Sequence, residues 1–248
     1  MKKSIVCVSF AAAALVWAVP ATAAECTKVT TSKGSLTAAQ VGGDVTGELD
    51  ATGCQIGVYY STSTPAGNVS EADISGATYY GVFVDGKDGD VSVNVTDSSI
   101  SKIGESPPDG AQHGLAVYYY GYETTGAVSG TVSGSSISEY QKGGITVNGE
   151  KASVDVMDST VAGLGEVDFI AQNGIQFGYG ATGVASGNTI TGNYYTACSN
   201  RDAAKTGCTP WVSTGMLLYD VDPAQVKRSD NHYRDNQRNL YVLPTASL

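Results

Sequence analysis

Gly144-Ile145-Thr146-Val147-Asn148, followed after a short interval by Val156-Met157-Asp158-Ser159-Thr160-Val161, is the stretch that decides the fold. The first phrase is a glycine leading alternating apolar residues, the period-two signature of a strand. The second sets two apolar residues five positions apart around an Asp-Ser pair. An unbroken strand would send residues five apart to opposite faces, so this phrase predicts a bend within it. Both phrases recur. Gly57-Val58, Gly81-Val82-Phe83-Val84, Gly114-Leu115-Ala116-Val117, Gly174-Ile175-Gln176-Phe177 and Gly215-Met216-Leu217-Leu218 repeat the first, and Asn239-Leu240-Tyr241-Val242 is a copy with asparagine for glycine. Val69/Ile74, Val95/Ile100, Val132/Ile137 and Ala185/Ile190 repeat the second, with Arg228/Tyr233 as a degraded copy. A period near thirty residues signals stacked units that share one core.

Spacing between the phrases adds a side to this picture. From each leading glycine to the apolar residue closing the second phrase the gaps are 17, 19, 23, 17, 16 and 18 residues; from there to the next leader they are 7, 14, 7, 13, 25 and 6. Three insertions therefore recur at one corner, and loops gathered on one side of a repeat array commonly bind.

Composition agrees with strands and tight turns. The 248 residues include 31 glycines and 15 tyrosines, and Ser, Thr and Val are abundant while Leu and Glu are few, a balance that favours β structure. All-β is the fold class expected, in one domain. Residues 1–23 read as a secretory signal: Lys2 and Lys3 precede an apolar run from Ile5 to Val19, and Ala21-Thr22-Ala23 has the small-x-small cleavage pattern. Export to the periplasm or the extracellular space follows, and the mature chain holds no stretch long enough to span a bilayer. Residues 24–53 lack the glycine phrase and read as an N-terminal cap; residues 54–248 carry the repeats.

Loss of the signal removes Cys7 and leaves Cys26, Cys54, Cys198 and Cys208. Four cysteines in an exported chain imply two disulfides, with three pairings open. Cys26 with Cys54 and Cys198 with Cys208 is favoured because each closes a local loop. Net charge is -10 and the arginines are only Arg201, Arg228, Arg234 and Arg238, which excludes nucleic acid and anionic lipid as natural partners. Two histidines and three methionines are a poor supply for copper, and no cofactor is expected.

Period-two alternation points the residues one and three after each leader inward: Val82 and Val84, Leu115 and Val117, Ile145 and Val147, Ile175 and Phe177, Met216 and Leu218. In the second phrase Asp97, Gly134, Asp158, Gly187 and Asp230 precede Ser98, Ser135, Ser159, Asn188 and Asn231. That pattern predicts turns that other residues resist, followed by small polar side chains that hydrogen-bond from one unit to the next. Gln112, Gln141 and Gln172 sit two or three residues before successive leaders and predict an amide ladder serving backbone groups.

Candidate ligand-binding residues come from the insertions and the outward tyrosines. The first insertion holds Glu105, Asp109, Gln112 and His113, the second Glu166, Asp168, Phe169 and Gln172, and the third Tyr194, Tyr195, Arg201, Asp202, Lys205 and Trp211. With strands about 4.8 Å apart these loops fall within roughly 10 to 15 Å of one another. Tyr59, Tyr118 and Tyr120 face outward and can stack on sugar rings. Gln112, His113, Tyr118, Tyr120, Asp168, Gln172 and Trp211 are the binding residues expected. No catalytic or metal-ligating set is assigned, because no nucleophile or metal partner for His113 can be named.

Gly174-Ile175-Gln176-Phe177, followed by Gly187-Asn188-Thr189-Ile190-Thr191-Gly192-Asn193, resembles the repeats of right-handed parallel β-helix proteins of the pectate-lyase-like superfamily, over about residues 53–242. The resemblance implies a right-handed parallel β-helix of about six to seven coils with an N-terminal cap. Of function it implies little, since that superfamily spans lyases, hydrolases, epimerases, adhesins and exported proteins of unknown role. The Asn-x-Asp, Asp-Asp and Gly-His-Gly elements of its hydrolases are missing, and no arginine precedes Arg201 as a lyase would require. An exported, non-catalytic, monomeric glycan-binding or structural protein is therefore expected. A polysaccharide lyase, hydrolase or epimerase at the corner loops is the alternative, calcium entering only for a lyase; an adhesin or assembly module is the third.

Overall fold

The computed structural model describes residues 25–196 and 212–243, and they are almost entirely strand. Trp211, Cys198, Cys208 and residues 1–23 lie outside the described residues. The chain passes alternately between two sheets. The first has nine strands, of which the outermost, Thr27–Thr31, is antiparallel to Gly34–Val41 and the rest are parallel. The second has thirteen. It forks: Val69–Ser75 pairs along one half with Val95–Thr96 and along the other with Ser99–Ser101, and every later pass keeps the two arms separate.

The fork is written in the second phrase. Asp97, Gly134, Asp158, Gly187 and Asp230 all have φ between 48° and 68°, a left-handed bend that Gly and Asp tolerate best. The residue after each bend then binds the neighbouring pass. Ala72 N donates to Ser98 Oγ, Ser98 N to Ser135 Oγ, Ser135 N to Ser159 Oγ, Ser159 N to Asn188 Oδ1 and Asn188 N to Asn231 Oδ1, at 3.1 to 3.3 Å. The bend frees backbone donors from the strand ladder, and this column takes them up.

Between the sheets lies one apolar core, with Val82, Val117, Ile145, Ile175 and Met216 stacked in register and Val84, Tyr119, Val147, Phe177 and Leu218 beside them, all fully buried. The leader glycines are steric. A Cβ at Gly174 would lie 2.5 Å from the Gly215 carbonyl oxygen and 2.5 Å from Ile190 Cγ2, closer than packed atoms approach.

One expected register is corrected. Leu115 pairs with Tyr80 and with Gly143, so Ala116, not Gly114, occupies the leader position of the third pass. The inward pair there is Val117 and Tyr119, and Leu115 points to the outer face. Tyr119 fits the core because its hydroxyl donates to the Val93 carbonyl at 2.7 Å. Gly114 precedes an apolar run, Leu115-Ala116-Val117, as a leader does, but its φ of 86° serves the end of the preceding loop instead.

Candidate functional site

The outer face of the first sheet has two halves of different character. Over the early passes Tyr59, Tyr80, Phe83 and Tyr118 form a second apolar cluster with Leu36 and Ala38. The Thr27–Val41 hairpin lies across it. Cys26 is bonded to Cys54 at the base of the hairpin, and at its tip Ser32 N donates to Asp85 Oδ2 at 2.8 Å while Lys33 Nζ sits 3.7 Å from the Tyr120 ring centroid. Asp85 also accepts from Tyr59 Oη at 3.2 Å. Phe83 is fully buried under this cover and Tyr118 is 5 % exposed. The aromatic row expected to face solvent is thus largely packing, and burial holds the Tyr118 hydroxyl well above its ordinary pKa.

Past Tyr118 the cover ends and the same face opens into a groove of about 590 Å³. Its floor is a chain of fixed polar side chains across successive passes. Asn173 Nδ2 donates to Gln176 Oε1 at 3.2 Å and Gln176 Nε2 to Asn148 Oδ1 at 3.0 Å, while Thr214 Oγ1, buried beneath them, donates to Asn173 Oδ1 at 3.0 Å. A tyrosine row borders the far end of the strands. Tyr122 and Tyr179 have centroids 4.8 Å apart, Tyr179 and Tyr219 5.1 Å, and Tyr179 and Tyr219 line the groove.

The corner insertions form the opposite wall, as their spacing predicted. Gln112 from the first, Phe169, Ile170 and Ala171 from the second, and Tyr195 from the third all line the groove. Lys142 is the one charged residue of the described lining. Its Nζ donates to the Ala171 carbonyl at 2.9 Å, and burial lowers its pKa from the ordinary 10.5 to about 8.

The expected binding residues divide accordingly. Gln112 and Tyr118 reach the groove. Tyr120 packs on Tyr118 at 5.5 Å and under Lys33. His113 lies outside it, stacked on Tyr79 with centroids 4.0 Å apart and bonded through Nε2 to Glu105 Oε1 at 2.7 Å. Asp168 is exposed beside the groove without lining it, and neither Glu105, Asp109 nor Glu166 lines it.

Gln172 is fully buried and structural: its Nε2 donates to the carbonyls of Tyr140 and Gln141 at 2.7 and 3.2 Å and its Oε1 accepts from Leu164 N at 3.1 Å. Gln141 serves the first insertion in the same way, accepting from Glu105 N and Asp109 N. Gln112 stands apart from this ladder because the third pass is shifted by two residues, and its Nε2 binds only the nearby Gly110 carbonyl.

Asn148, Gln176 and Tyr219 were legible as outward-facing, yet nothing in the sequence singled them out over other outward residues. Lys142, Asn173 and Tyr179 sit at turns and strand ends, where alternation gives no direction. Among the described residues no group of three or more His, Cys, Asp or Glu side chains is placed to hold a metal ion, and no helix is long and apolar enough to cross a membrane. No protein-family model, no curated protein and no solved structure matches this chain.

Proposed function

We propose that this chain is an exported, non-catalytic, right-handed parallel β-helix of six to seven coils that binds a glycan in the open half of its outer face. The Cys26–Cys54 disulfide supports export, since such bonds persist in oxidising compartments. Alternation of parallel strands between two sheets supports the β-helix; right-handed crossover is the rule for parallel strands joined in this way.

The observation that carries glycan binding is the pairing of a tyrosine row with a pre-bonded amide floor on a rigid sheet. Sugars offer apolar ring faces for stacking and hydroxyls that need donors and acceptors held in place, and preorganised groups lose little freedom on binding. The described lining carries amides, hydroxyls and one ammonium, with no carboxylate or imidazole. That set favours binding over the acid–base hydrolysis of the alternative reading, which needs paired carboxylates at the scissile bond.

Purified mature protein passed over immobilised polysaccharides, with and without calcium, tests this. Retention without product release is expected, and it is lost in Tyr179→Ala and Gln176→Ala. Product formation that His113→Ala or Asp168→Ala abolishes would overturn it.

A further inference from the structure

The second sheet has an unpaired edge at each end among the described residues: Val45–Asp50 at the beginning, and Val226–Ser229 with His232–Arg234 at the finish. Open strand edges invite another strand. Natural proteins usually block them, as Arg228 does here at the foot of the inward column of Val132, Val156 and Ala185; the outward charges do the reverse. The column headed by Asp50 runs through Ser75, Ser101, Ser138, Ala162 and Thr191 to Arg234. The adjacent outward column is headed by Glu48 and ends at His232. On the other arm Asp44, whose Oδ1 accepts from Asn68 N, stands at the head of the column that reaches Thr131, Asp155, Val184 and finally Lys227. Each of these three columns begins with a carboxylate and ends with a cation or an imidazole.

We propose that a second copy of this chain docks head to tail, its Val45–Asp50 strand adding to the edge formed by Val226–Ser229 and His232–Arg234 and continuing the parallel sheet with the same one-residue shift after Val45 that it makes against Val69–Ser75. One more step along each column then sets Asp44 beside Lys227, Glu48 beside His232 and Asp50 beside Arg234. Opposite charges directly across paired strands attract. Leu240 adds an apolar contact at the same end. It continues the inward column of Ile145, Ile175 and Met216, all fully buried, yet is itself 43 % exposed and is the one large hydrophobic exposed among the described residues. The contact is heterologous, so it extends into linear assemblies and does not close at a dimer. This goes beyond the monomer expected from sequence and is independent of the groove, which lies on the outer face of the first sheet.

Sedimentation velocity of the mature chain from micromolar to near-millimolar concentration tests it, alongside two charge-reversed variants. Lys227→Glu with Arg234→Glu makes both ends acidic; Glu48→Lys with Asp50→Lys makes both basic. The wild type is expected to grow in mass with concentration, in steps of one chain and less at high salt. Each variant alone, folded by circular dichroism, is expected to weaken association by about tenfold or more, and mixing the two restores it. A wild type that stays at the mass of one chain throughout overturns the proposal. So does association that the reversals leave unchanged, or that mixing fails to restore.

Discussion

Tyr140 donates its hydroxyl hydrogen to Asn193 Oδ1 at 2.7 Å, and both side chains are fully buried. Asn193 in turn donates to the Thr191 carbonyl at 3.0 Å and to Asn236 Oδ1 at 2.9 Å. A buried amide with all its groups satisfied stabilises the passes it ties together; one left with an orphaned oxygen does not. Tyr140→Phe is expected to cost about 1–3 kcal/mol, the usual penalty for an unsatisfied buried acceptor. Urea denaturation checks this as a lower midpoint with an unchanged slope.

The left-handed column alternates between charged and uncharged members: Asp97, Gly134, Asp158, Gly187, Asp230. A Cβ at Gly134 would run into Asp97 Oδ1, and one at Gly187 into Asp158 Oδ1. Gly134→Asp would set three carboxylates in a row at about 4.8 Å spacing. It is expected to destabilise by about 1–3 kcal/mol through steric crowding and like-charge repulsion. Part of the loss should be recovered in high salt, whereas the uncharged Gly134→Asn should show less salt dependence; thermal melts at two ionic strengths distinguish them.

Burial favours the neutral form of Lys142, lowering its pKa to about 8 from 10.5. Between those values the unfolded chain binds more protons than the folded one, so this group's contribution to stability rises with pH across the window and its penalty is full below it. Lys142→Met is therefore expected to melt higher than wild type at pH 7, with the gap closing as pH climbs from about 8 toward 10.5. Buried Tyr119 and Tyr140, whose pKa values burial raises, act oppositely above pH 10 in both proteins. Comparing the two melting curves across pH cancels the tyrosines and isolates the lysine.

The Cys26–Cys54 bond spans 28 positions and anchors the hairpin that covers Phe83 and Tyr118. Cys26→Ser with Cys54→Ser should cost about 3–4 kcal/mol on loop-closure grounds. The loss should be local first, because the hairpin is the cover of a separate cluster. Hydrogen exchange is expected to speed up in Thr27–Val41 and in the outer-face tyrosines before it does in Gly143–Asn148.

Much of this was legible because stacking forces like residues into columns. The leader glycines answer to the carbonyl of the next pass, the Asp/Gly column to a left-handed bend, and the Ser/Asn column to backbone donors freed by that bend, so each left a periodic trace. Cys26–Cys54 followed from loop locality in the same way. The third pass was misread by two residues because Gly114 marks the exit from an insertion while Ala116 fills the leader position, a substitution that composition cannot reveal.

The site was less legible than the fold. Nothing in the order of residues shows that the Thr27–Val41 hairpin folds back over the early tyrosines, which turns Tyr118 and Tyr120 largely into packing and leaves the open groove to later passes. The insertions were gathered on one side, but Glu105, Asp109, His113, Glu166 and Asp168 do not line the groove, while the uncharged Phe169, Ile170 and Ala171 wall it.

Calorimetric titration of a soluble oligosaccharide from the best-retained polysaccharide, into wild type, Gln176→Trp and Thr131→Trp, tests the central claim most directly. Gln176→Trp fills the groove, while Thr131→Trp places the same bulk on the second sheet. Saturable heat with wild type and Thr131→Trp, absent with Gln176→Trp, is the predicted result; equal binding by all three would contradict a glycan site on the open half of the outer face.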